Sequence, residues 1–117
     1  MELRKWIEMI PIVAINDEIK KIKKPWRPIV IARMNDQVIR LVIFKGTYPM
    51  HKHSNEDELF YVLSGKIIIK VKNKQKMIVL NQGEMAVIPK DMEHSPTSES
   101  ESFVLMFEPK SLKSSGD

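Results

Sequence analysis

The sequence predicts an all-β chain, an antiparallel sandwich or barrel that carries one short N-terminal helix. Three observations lead there. From Ile29 onward the chain breaks into short runs rich in Ile and Val. Turn-forming residues separate those runs at close intervals: Asn35-Asp36, Ser64-Gly65, Asn73-Lys74, Asn81-Gln82-Gly83 and Pro89-Lys90-Asp91. The single stretch with helical spacing lies before all of them.

That stretch is Asn16 to Lys24. Asn16 is placed to cap it, Asp17 and Glu18 suit its first turn, and lysines fill its last turn. Ile15, Ile19 and Ile22 form one apolar stripe, and Pro25 supplies the stop. The expected strands are Ile29–Ala32, Val38–Lys45, Glu58–Leu63, Lys66–Lys72, Lys76–Leu80, Met85–Ile88 and Phe103–Phe107. In the fourth, alternation turns Ile67, Ile69 and Val71 inward and Lys66, Lys70 and Lys72 to water. Phe103–Phe107 is apolar on both faces, so its outer face needs a cover. The helix or a second subunit can supply one, and the apolar segment Trp6 to Ile15 adds to the expectation of a homodimer. The parts are then residues 1–28 as N-terminal segment and helix, 29–108 as barrel, and 109–117 as a polar, loosely ordered tail.

With 117 residues, one domain is expected, large enough to bury a core. The chain has no cysteine, which excludes disulfides, iron–sulfur clusters and thiolate chemistry and leaves nitrogen and oxygen as the only metal donors. No apolar run reaches membrane-spanning length and the N-terminus lacks a signal-peptide profile, so a cytoplasmic protein without a membrane partner is expected. The formal charge of +4 is modest. Lysines cluster at 20–24 and 66–76 without interleaved aromatics, so no nucleic-acid partner is expected.

The chemistry concentrates in two windows that hold all three histidines. The first contains His51, His53 and Glu58; the second runs from Gly83 to His94. On an extended strand His51 and His53 point the same way, Glu58 follows a polar turn, and His94 arrives from a later strand. A lone histidine is usually packed or solvated, but three imidazoles and a carboxylate at these spacings form a divalent-metal donor set. Glu56 reads as a solvated turn carboxylate, and Asp57 as a candidate support for a histidine. By strand parity Phe60 and Val62 share the inward face of Glu58, while Met50 opposes His51.

These residues resemble the two motifs of the cupin superfamily. Gly46, His51, His53, Glu58 and Gly65 match the first; Gly83, Pro89 and His94 match the second. Asp91 stands where the family usually has glycine and Ser98 where it often has asparagine; neither departure touches a ligand, and Asp tolerates the left-handed conformation such a turn needs. The resemblance implies a jelly-roll barrel, or double-stranded β-helix, with one divalent transition metal (Fe, Mn, Zn, Ni or Cu) held inside by His51, His53, Glu58 and His94. More narrowly the chain is similar to small stand-alone cupins loosely labelled mannose-6-phosphate-isomerase-like, a label that rests on barrel similarity rather than activity. The function expected is a metal-dependent enzyme acting on a small oxygen-rich molecule, of oxygenase or isomerase/lyase type. The alternative is a non-catalytic module that binds or senses a metal and a small ligand. Every histidine is used as a ligand, and Tyr48 and Tyr61 are unplaced, so no catalytic acid or base is assigned.

Overall fold

The computed structural model describes residue 3 and residues 9–72, 77–113, 115 and 116. Among the described residues a helix, α1 (Ile15–Lys21), precedes seven strands: β1 (Ile29–Met34), β2 (Gln37–Thr47), β3 (Glu58–Ser64), β4 (Lys66–Val71), β5 (Met77–Asn81), β6 (Met85–Ile88) and β7 (His94–Pro109). All strand pairs are antiparallel, as the jelly-roll expectation requires. The turn expected at Asn73-Lys74, and Trp6 of the N-terminal apolar segment, lie outside the described residues.

The helix starts and stops earlier than its sequence suggests. Ala14, not Asn16, is the N-cap residue, and no side chain caps it. The Ala14 carbonyl accepts the N–H groups of Asp17 and Glu18, which places Asn16 inside the first turn. Ile22 already has extended backbone, with ψ 132°, so the helix ends before Pro25. Two of the three stripe residues pack as expected: Ile22 is buried with Leu41 and Ile43, and Ile19, Phe103 and Leu105 pack around that cluster, whereas Ile15 is not part of it. The N-terminal segment thereby covers part of the outer face of β2 and β7. On β6, Met85 and Val87 stay exposed, as do Met77 and Val79 on β5.

The sheet path runs β1-β2-β7-β3-β6, with β4 and β5 branching from β7. Strand β7 spans 16 residues where only Phe103–Phe107 is legible as strand. Its first part, Ser-Pro-Thr-Ser-Glu-Ser-Glu-Ser after His94, is polar and contains Pro96, which cannot donate to a ladder. The Pro96 carbonyl still accepts from Tyr48 N–H, and residues 94–97 pair with β4. Residues 103–107 pair instead with β3, while β2 follows β7 along its length. The change of partner falls at a corner built from Ser98 and Ser102. Their hydroxyls lie 2.8 Å apart, and both donate to the Lys66 carbonyl, at 2.9 and 3.1 Å.

Inside the barrel, Val42, Phe44, Phe60, Val62, Ile67, Ile69, Val104 and Met106 form the core, and Lys66, Lys70 and Lys72 face water. The segment after Glu108, expected to be polar and loose, is held at two points. Leu112 is buried, and Arg40 donates to the carbonyls of Lys110 and Leu112, each at 3.1 Å. Among the described residues no helix is long and apolar enough to cross a membrane.

The corner yields a prediction. Gly65 has φ +94°, and a Cβ there would lie within 2.8 Å of Ser102 Cβ and collide with its hydroxyl. Gly83, at φ +84°, has open space at the same point. Gly65→Ala should therefore cost roughly 2–4 kcal/mol and Gly83→Ala about 1–2 kcal/mol. Urea denaturation reads both, and equal losses would show that the corner is not tightly packed.

Candidate metal centre

Three parts of the chain deliver the four predicted residues. Glu58 opens β3 and His94 opens β7, while His51 and His53 lie on the extended loop that follows β2. Only His51 joins the sheet, through an isolated bridge to His94. The two residues exchange both backbone bonds: His51 N–H to the His94 carbonyl at 3.0 Å, and His94 N–H to the His51 carbonyl at 2.8 Å. His53 is anchored from the second motif, since its carbonyl accepts Asp91 N–H at 2.8 Å. Asp91 has φ +65°, the left-handed conformation usually left to glycine.

One ligand atom from each of His51, His53, Glu58 and His94 lies within 4.8 Å of the others. His53, Glu58 and His94 are buried, and His51 is half-buried. Two ring orientations are fixed by backbone carbonyls. His51 Nδ1–H donates to Pro49 at 2.9 Å and His94 Nδ1–H donates to Met92 at 2.8 Å, which leaves each neutral ring an Nε2 lone pair. His94 Nε2 then faces Glu58 Oε1 at 3.2 Å, and His53 Nε2 faces Glu58 Oε2 at 3.2 Å. A buried carboxylate facing two imidazole nitrogens at 3.2 Å needs positive charge between them, either a proton carried by a ring or a metal ion. The donor set fits a divalent ion, with nitrogen and oxygen ligands and a partner behind two of the rings.

The protonation pattern is consistent with that fit. Burial would raise the Glu58 carboxyl, but hydrogen bonding with His53, His94 and Glu108 holds it well below the usual carboxylate range. Burial also lowers His51 below its ordinary value, against the pull of the Pro49 carbonyl. The carboxylate is thus ionised and His51 neutral, the forms in which both donate to a metal.

The other expectations for this region divide. Phe60 and Val62 are buried on the inward face with Glu58, and Met50 is exposed. Glu56 is exposed. Asp57 does not reach a histidine: its carboxylate accepts Lys90 N–H at 2.9 Å and ties the two motif loops together.

Glu108 and Arg40 are the residues that sequence reasoning passed over. Glu108, only 1% exposed, stands beside Glu58, because the β3–β7 register runs Phe60 to Met106 and Leu59 to Phe107. Burial and the Glu58 charge push its carboxyl up, and Arg40 opposes them only in part, though its guanidinium donates to Glu108 Oε1 at 2.6 Å. Parity would have found it, since Glu108 follows Val104 and Met106 on the inward face.

Beside the donors lies a cavity of about 320 Å³, open mouth included. It is lined by His51 and Glu58 together with Trp26, Phe44, Tyr48, Phe60 and Met106. Trp26 belongs to the segment between α1 and β1, where nothing in the sequence marked it.

Comparison with known proteins agrees with this construction. The family model for the cupin domain matches residues 40–108. The uncharacterized protein YdbB of Bacillus subtilis is 35% identical over 91 residues, 78% of this chain and 77% of that protein. The crystal structure of a cupin-2 domain containing protein from Shewanella frigidimarina superposes with a TM-score of 0.80 at 35% identity, covering 90% of this chain and 98% of that one. Protein NMB1881 from Neisseria meningitidis gives a TM-score of 0.78 at 26% identity, covering 86% of this chain and all of the other.

Arg40 supplies the prediction here. Arg40→Met leaves Glu108 buried without its cation and frees the tail carbonyls, and should cost roughly 2–4 kcal/mol in urea denaturation. Adding Glu108→Leu removes the stranded carboxyl and should recover most of that loss. A double variant no more stable than Arg40→Met would contradict the assignment.

Proposed function

The chain belongs to the cupin family, and from that premise we propose that it is a metal-dependent enzyme acting on a small molecule, of oxygenase or isomerase/lyase type. One observation carries the reading: the buried convergence of three imidazoles and one carboxylate, whose ligand atoms all lie within 4.8 Å of one another. His51, His53, Glu58 and His94 would hold one divalent transition ion, and Fe, Mn, Zn, Ni and Cu all suit such donors. Bound there, the ion supplies Lewis acidity or, as iron, access to dioxygen chemistry. The chain's own residues prepare the site for that ion. The Pro49 and Met92 carbonyls hold two rings in the donating tautomer. Ionised Glu58 neutralises one of the ion's two charges, so the loaded site attracts oxygen donors and carboxylates. Phe60 and Met106 keep bulk water off one side.

The second reading, a module that binds or senses a metal and a ligand without turnover, is favoured by one feature. Apart from His51 and Glu58, the described residues that line the cavity offer only Tyr48 as a proton-transferring side chain. The setting of either reading is a cytoplasmic homodimer. Exposed Met85 and Val87 on β6, with Met77 and Val79 on β5, support pairing through the outer face.

Metal analysis of protein loaded without oxygen should give about one divalent ion per chain. His51→Ala, His53→Ala and His94→Ala should each lose most of it, and metal at about 100 times its Kd should stabilise the unsubstituted protein by about 2.7 kcal/mol. Full retention in all three variants would refute the site. Oxygen uptake or product formation with keto acids or phenols that vanishes in Glu58→Gln identifies an enzyme; saturable binding without turnover identifies the module. For the assembly, light scattering should give twice the chain mass, falling to the monomer in Val87→Glu. A monomeric unsubstituted protein at tens of micromolar would refute the dimer.

A further inference from the structure

Trp26 lies outside the matched residues 40–108, yet it lines the cavity. Its φ of +62° is a conformation that a bulky non-glycine residue adopts only at a cost. Local bonds hold it there. Its backbone N–H donates to the Ile43 carbonyl at 2.9 Å, and its indole Nε1–H donates to the Lys45 carbonyl at 2.8 Å. The ring packs 4.5 Å from Phe44 and 5.0 Å from Tyr48. From those two rings, aromatic contacts run inward along both sides. Tyr48 meets His51 edge-on at 5.2 Å, while Phe44 meets Phe60 at 5.9 Å and Phe60 meets His94 at 6.1 Å. Both series end on imidazoles of the donor set.

The cavity between them is sharply divided in polarity. Apart from the Glu58 carboxylate, the His51 imidazole and the Tyr48 hydroxyl, its lining side chains are aromatic or aliphatic. Among the described residues that line it there is no lysine or arginine. We propose, resting on the metal reading above, that the cavity takes a planar, ring-bearing ligand whose oxygen donors are grouped at one end, and that Trp26 sets the fit of its ring. Aromatic faces favour a flat hydrocarbon body through offset and edge contacts. A polyol would carry hydroxyls into walls with few partners, and a sugar phosphate bound by its sugar oxygens would in addition find no lysine or arginine for its phosphate.

The test uses the full chain loaded with cobalt(II), whose visible absorption reports chelation. Acetohydroxamate and benzohydroxamate present the same pair of oxygen donors and differ in a methyl or phenyl group; glucose 6-phosphate is the third probe. Benzohydroxamate should bind roughly tenfold or more tightly than acetohydroxamate. Trp26→Ala should abolish most of that advantage while acetohydroxamate affinity stays within about twofold. Trp26→Phe should leave an intermediate advantage, and it keeps the question answerable if Trp26→Ala does not fold. Glucose 6-phosphate should show no saturable change. Equal affinities for the two hydroxamates, or tight binding of the sugar phosphate, overturn the ring proposal while the metal centre stands. An advantage unchanged in the Trp variants removes Trp26 from it. Failure of cobalt(II) to bind at all sinks the metal reading and this inference together.

Discussion

Strand β7 has to serve three neighbours, and the site depends on its doing so. A strand has hydrogen-bonding groups on two edges only, so a third partner requires the chain to bend and change company partway. β7 keeps β2 along one edge and gives the other first to β4, then to β3. The Ser98 and Ser102 hydroxyls stand in at the bend, and Gly65 leaves room for Ser102. Because of that bend, the start of β7 brings His94 to the loop holding His51, and its end brings Glu108 beside Glu58. Ladder register sets the spacing of the donors, a firmer constraint than any flexible side chain could impose.

The second constraint is electrostatic. Glu58 is 2% exposed and ionised, and a second carboxyl stands next to it. Burying two carboxyl groups side by side is unfavourable, so the fold counters it from both sides: Glu108 is pushed toward its neutral form, imidazoles flank Glu58, and Arg40 stands behind Glu108. Arg40 also binds two carbonyls of the C-terminal segment, so the group that compensates this charge fastens the chain end as well.

Much of this was legible in the chain. Alternation identified the inward residues of β3 and β4, and the histidine windows named the donors the barrel brings together. What escaped has physical reasons. The first half of β7 carries its ladder through backbone groups under a polar, proline-containing sequence, so hydrophobic period gave no signal. The helix start was misplaced because the Ala14 carbonyl, without side-chain help, captures the first donors. Arg40 and Glu108 sit on inward parity positions, but charged side chains are ordinarily read as solvated, and only pairing across strands justifies their burial. Trp26 is placed by hydrogen bonds to β2 from a segment with no period at all, and local pattern cannot reveal that.

The reciprocal link between His51 and His94 has a further consequence. Both of its bonds run between main-chain atoms, so neither depends on the imidazoles the two residues display. Architecture and reactivity are therefore separately inheritable at this point. A lineage could exchange those rings for inert side chains and keep its shape, or hold the rings and rebuild the mouth around them. Descendants of such a chain would look alike in outline while having nothing in common chemically.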